Sequence, residues 1–113
     1  MPLYRRSLAQ ETVVILRAIR TTTTIAAYGS GDGFTTPGTE FGDDEEIMIS
    51  GTVVADDAAD LTGQLLEISI DGVPVGTTGL FGYDGLTNYY QLNIGMLAEG
   101  THVIEAMFLR VRI

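Results

Sequence analysis

The chain has no cysteine, no lysine and a single histidine, His102. Without cysteine there is no disulfide to staple a small domain, and no thiolate to act as nucleophile or metal ligand. Without lysine the glycine-rich stretch 29–33 cannot be a P-loop, because no side chain after it can reach a phosphate. His102 opens an alternating segment and shares a face with Ile104, Ala106 and Phe108. That is the position of a structural histidine at the end of a core, not of a general base. Ser7, Ser30, Ser50 and Ser69 lack the strand-to-helix turn of a nucleophile elbow. No enzymatic activity is expected.

Long apolar runs are also missing. A membrane helix needs roughly twenty apolar residues, and none is present. Arg5 and Arg6 have the character of a leader's charged region, but Gln10 and Glu11 break the segment after them. The strongly apolar run 13–16 is short, with no small-residue cleavage pattern after it. The sequence therefore predicts synthesis and assembly in the cytoplasm and no membrane insertion.

Basic residues are missing from the body. The net charge is −9, and all six basic residues are arginines. Arg5, Arg6, Arg17 and Arg20 lie at one end; Arg110 and Arg112 lie at the other. Between positions 21 and 109 there are fourteen acidic residues and no basic one. Such a body repels phosphate, so nucleic acid is not an expected partner. Acidity of this kind serves solubility. The basic ends suit an acidic surface, including the body of a neighbouring copy.

What is present is β-forming sequence broken by turns. Residues 12–20 (TVVILRAIR) read as a strand with apolar residues on both faces, which needs cover from its own domain or from a partner. Strands are also predicted at 21–28, 47–55, 65–70, 73–78, 89–94 and 102–113. Segment 65–70 alternates most clearly, with Leu66, Ile68 and Ile70 inward and Glu67 and Ser69 outward. Asp71 and Gly72 predict a type I′ hairpin turn, which requires positive φ at both residues. A long loop is expected at 29–46. Regular short strands with turn signals between them predict a sandwich.

The ordered set TTTTI at 21–25, ISGTVVAD at 49–56, LTGQLLEISIDGVPVGTT at 61–78 and LAEGTHVIEAMF at 97–108 resembles the bacterial immunoglobulin-like (Big-type) domains of surface adhesins and phage structural proteins. The resemblance implies an all-β, immunoglobulin-like β-sandwich of about seven strands over residues 21–113. Residues 1–20 lie outside the pattern as an N-terminal basic arm. It also implies a binding or structural role, without naming a ligand.

Three groups of residues are candidates for function. In the last strand, Val103, Met107, Leu109, Val111 and Ile113 share a face that solvent would not normally see. With Val13, Ile15, Arg17, Ile19 and Arg20 of the arm, residues Met107, Leu109, Val111 and Ile113 form a candidate assembly interface, the arm folding back on its own domain or adding to a neighbour by strand exchange. Phe34, Phe81 and Tyr83 are candidate ligand-contact residues in loops. Asp56, Asp57 and Asp60 are the candidate calcium ligands, with Asp32 next, since calcium takes oxygen ligands from acidic, glycine-rich loops; no other cofactor is expected.

The function expected from these features is that of a virion component (capsid decoration, fibre or tail-surface protein). It would sit on the virion surface, with its own copies or other structural subunits as partners. The alternative is a cell-surface adhesion or carbohydrate-binding module of a secreted protein, with a host-surface glycan as partner.

Overall fold

In the computed structural model, which describes residues 3–5, 7–13 and 19–109, the β-branched and alternating runs become eight strands. They are β1 (Thr21–Thr23), β2 (Ala26–Gly29), β3 (Pro37–Gly38), β4 (Ile47–Ala55), β5 (Leu65–Ile70), β6 (Val73–Gly79), β7 (Thr87–Gly95) and β8 (Ile104–Phe108). They form two antiparallel sheets, and the chain is an all-β sandwich.

One sheet has five strands but only four positions, because β1 and β2 lie end to end along the same edge of β4. Its order across is β3, then β2 with β1, then β4, then β7. The other sheet has three strands in the order β6-β5-β8. Facing edges meet at β6 with β7 and at β1 with β8.

The core lies between the layers. Ile47, Ile49, Val53 and Ala55 alternate along β4, and Leu66 and Ile68 oppose them from β5. Tyr90 of β7, with Leu61 and Leu80 from the connections, completes the buried set. Each fully buried aliphatic side chain here contributes roughly 1.5–3 kcal/mol relative to exposure.

Strands β4 and β5 match the predicted 47–55 and 65–70, and Asp71 and Gly72 have φ of 51° and 80°, as the predicted turn requires. Three differences have physical reasons. The expected strand 21–28 is interrupted at Thr24 and Ile25, although β1 and β2 keep one register against β4. The expected loop 29–46 contains a 3-10 turn (Ser30–Asp32) and the two-residue β3, which pairs Ala27 with Gly38 and Tyr28 with Pro37. The last strand begins at Ile104, not at 102, and the His102 ring instead bonds Asp71 and the Ala98 carbonyl; positions 110–113 lie outside the described residues.

Candidate functional site

Strand β8 alternates as its sequence predicts. Ile104, Ala106 and Phe108 pack against the core but stay only half-buried, while Val103 and Met107 on the outer face are 57% and 56% exposed. Leu109 is half-buried, and its N–H donates to the Leu65 carbonyl at 3.1 Å. Asp71 N–H donates to the Val103 carbonyl at 2.8 Å. In an antiparallel ladder the bonding direction alternates, so 103, 105, 107 and 109 turn their backbone groups toward β5. Ile104, Ala106 and Phe108 turn theirs to the opposite edge, where no strand pairs among the described residues.

The described arm residues add no strand to this edge. Among the described arm residues, Leu3, Tyr4, Leu8 and Val13 are strongly exposed, Val13 at 68%, and Ile19 and Arg20 are exposed too. Thr12, Val13, Ile19 and Arg20 adopt no strand. Ile15, Arg17, Val111 and Ile113 of the candidate interface lie outside the described residues. Asp56 N–H donates to the Arg20 carbonyl at 2.9 Å, which ties the base of the arm to the β4 sheet.

The four sheet edges are unequal. Edge strand β3 contains Pro37. Edge strand β6 contains Pro74, and its register shifts near Val75, where an extra residue bulges. The β7 edge is met by Thr78, whose hydroxyl donates to the Gln91 carbonyl at 3.0 Å. Proline and bulges blunt an edge against further pairing. Strand β8 (IEAMF) has neither, and only Glu105 as a charge.

At the Ile104 end of β8 a cavity of about 620 Å³ opens between the sheets. Ala27, Phe41, Ile47, Leu97 and Ile104 are the apolar part of its lining, and the acidic residues Asp43 and Glu99 also border it.

His102 stands at the end of that cavity and is fully engaged. Its Nδ1 lies 2.8 Å from Asp71 Oδ2 and its Nε2 lies 2.6 Å from the Ala98 carbonyl. Two acceptors on the two ring nitrogens favour the doubly protonated ring. The Ala98 carbonyl, and then the Asp71 carboxylate, hold its pKa above the ordinary value. Asp71 Oδ1 also accepts the Val103 N–H at 2.8 Å, and this bond, ahead of the histidine, holds the Asp71 carboxyl below the usual range. The pair fastens the β5–β6 turn to the start of β8.

Two of the three candidate calcium ligands, Asp57 and Asp60, serve their own turns. Asp57 Oδ1 accepts the Ala59 N–H, and Asp60 Oδ1 accepts both the N–H and the hydroxyl of Thr62. The Thr62 hydroxyl is the main reason that the Asp60 carboxyl lies below its usual range. Among the described residues no three His, Cys, Asp or Glu side chains converge as a metal site would require. Asp32 Oδ1 accepts the Thr35 N–H at the far end of the sandwich.

The loop aromatics do not form one surface. Phe34, with φ of 62°, donates its N–H to the Gly29 carbonyl beside the Ile47 end of β4. Phe81 and Tyr83 lie at the opposite end, where the Tyr83 hydroxyl donates to the Ala58 carbonyl just past Ala55. Phe81 instead bridges Tyr89 through two backbone bonds, and both side chains are exposed. The Tyr89 hydroxyl reaches Asp84 Oδ2 at 3.0 Å.

Asn88 was not anticipated from the sequence. It is fully buried; its Oδ1 accepts the Leu61 N–H at 2.9 Å and its Nδ2 donates to the Thr62 hydroxyl at 3.1 Å. Its alternation with Tyr90 and Leu92 was the available signal. Comparison of the chain with protein-family models, with curated proteins and with solved structures finds no match.

Proposed function

We propose that the chain is a non-enzymatic structural module, an immunoglobulin-like component of a virion surface such as a capsid decoration, fibre or tail-surface protein, which joins its assembly through the basic arm and the last strand. The carrying observation is that β8 presents an unblunted edge and an exposed apolar face while the described arm residues before Arg20 are exposed and pair with no strand. An unprotected edge of this kind pairs with other chains. The engagement of His102 and of the acidic turns in local structure agrees with a structural role. In this role the acidic loops face outward and no cofactor is used. The test is the solution mass of the full chain over a range of concentrations, beside a chain carrying Val13→Asp and Ile19→Asp. Oligomers that the two substitutions dissolve support the reading; a full chain that stays monomeric throughout overturns it.

A second reading, an adhesion or glycan-binding module, is favoured by the exposed pair Phe81 and Tyr89 at one end of the sandwich. An exposed aromatic face is what a sugar ring stacks on. Chemical-shift changes confined to Phe81, Tyr89 and Asp84 on adding simple sugars would favour it, and their absence would remove its support.

A further inference from the structure

We infer that the free edge of β8 and the cavity beside it form a slot for one additional strand, and that residues 12–20 of a second copy fill it. The inference rests on the assembly reading above and names the partner.

The two layers do not match in width. The β4 sheet fills four positions and the other sheet only three. With β6 against β7 and β8 against β1, the strand β3 has no counterpart among the described residues. The vacant place lies next to β8, and there the cavity runs between Gly38 and Phe41 on one side and Ile104 on the other. A strand added to β8 would take up the backbone groups of Ile104, Ala106 and Phe108. It would also cover their half-buried side chains.

The occupant must be apolar on the face toward this cavity and basic where it meets the Asp43 and Glu99 carboxylates. Residues 12–20 (TVVILRAIR) are apolar on both faces and carry Arg17 and Arg20. The whole arm has four arginines and one acid, against fourteen acids and no base in residues 21–109. A nine-residue strand spans about 30 Å, enough for the length of β8 and its flanks. Charge attraction of this kind steers the encounter and weakens with salt.

A second copy is favoured over the chain's own arm. The bond from Asp56 N–H to the Arg20 carbonyl continues the β1 ladder past Thr21. It holds the arm's base in the four-position sheet, so the chain enters β1 from beyond the Ala55 end of β4. Reaching its own slot would require the arm to leave that sheet at once, reverse direction and cross to a layer about 10 Å away.

The chain has no cysteine of its own, so disulfide trapping reads out cleanly. In the full-length chain, cysteines are placed one at a time at positions 13 to 19 of the arm. A separate chain carries Met107→Cys on the exposed face of β8, and a control chain carries Val75→Cys on the blunted β6 edge. Mixed under mild oxidation, at least one arm position is expected to form a heterodimer with Met107→Cys several-fold faster than with Val75→Cys. The chain carrying that arm cysteine together with Met107→Cys should give a ladder of covalent multimers. High salt should slow both.

Closure of the double-cysteine chain on itself, without heterodimers in the mixtures, overturns the second copy as occupant. Equal rates with Val75→Cys overturn the slot. Absence of cross-links to Met107→Cys while light scattering shows oligomers overturns this inference and leaves the assembly reading standing. Absence of cross-links in a chain that is monomeric at every concentration ends both.

Discussion

The hydroxyl of Tyr90 reaches across Gly51 to donate to the carbonyl of Thr24, 66 positions away in the chain. Gly51 and Tyr90 are direct partners in the β4–β7 ladder, and the tyrosine ring lies over the glycine on the inner face. Thr24 still donates its N–H to Thr52 at 2.9 Å, but its carbonyl turns over Gly51. This contact is where the first strand breaks into β1 and β2.

A side chain at position 51 has no room. A Cβ there would overlap the Thr24 oxygen and sit 2.7 Å from the Tyr90 hydroxyl. Gly51→Ala is expected to destabilise the domain by about 3 kcal/mol, the upper end for overpacking against backbone. Urea denaturation measures it as a lower midpoint with an unchanged slope.

Tyr90→Phe removes the bond but keeps the ring. The expected loss is about 1 kcal/mol, since the Thr24 carbonyl loses its partner. Burial pushes the Tyr90 hydroxyl up to about 12, above its ordinary 10.0. A raised folded value gives stability that is complete below pH 10.0 and disappears as pH rises toward about 12. The wild-type urea midpoint should therefore fall through this alkaline window, and more steeply than that of Tyr90→Phe.

The Asp71 and His102 pair has a window of its own. Raising the histidine above its ordinary 6.5 contributes stability that is full below 6.5 and is lost as pH rises through the raised value. Lowering the aspartate below its ordinary 3.8 contributes stability that is present above 3.8 and is lost as pH falls through the lowered value. Both contributions are complete between 3.8 and 6.5. The ring resonances of the sole histidine should titrate above 6.5, and Asp71→Asn should bring that midpoint down.

Asn88 holds the connection after β4 to β7 from inside the core. Asn88→Ala leaves the Leu61 N–H without its acceptor, an expected cost of about 1–3 kcal/mol. Thermal unfolding with and without the substitution measures it. Millimolar calcium should leave the wild-type melting temperature unchanged, because a ligand stabilises only the state that binds it. An upward shift that Asp60→Asn abolishes would instead place an ion at the turn of Asp56, Asp57 and Asp60.

Much of the sandwich was legible because its signals are local. Leu66 and Ile68 alternate with Glu67 and Ser69, and Asp71 with Gly72 supplies the positive φ that its turn needs. The outward row of Val103 and Met107 is plain in the alternation of the last strand's residues. What escaped depends on distant partners. The break at Thr24 is set by Tyr90, and β3 exists only because β2 lies beside it. The separation of Phe34 from Phe81 comes from the course of β4, which carries the two loops to opposite ends.

The bond between Arg20 and Asp56 has a mechanical consequence. It continues the β1 ladder, in which Thr21, Thr22 and Thr23 pair with Ala55, Val54 and Val53. Ladder bonds stand perpendicular to the strand. A pull on the arm along the strand axis therefore loads them in shear, all at once, whereas a sideways pull would open them one by one. Tension carried by the arm along its own line meets the joint in its stronger direction.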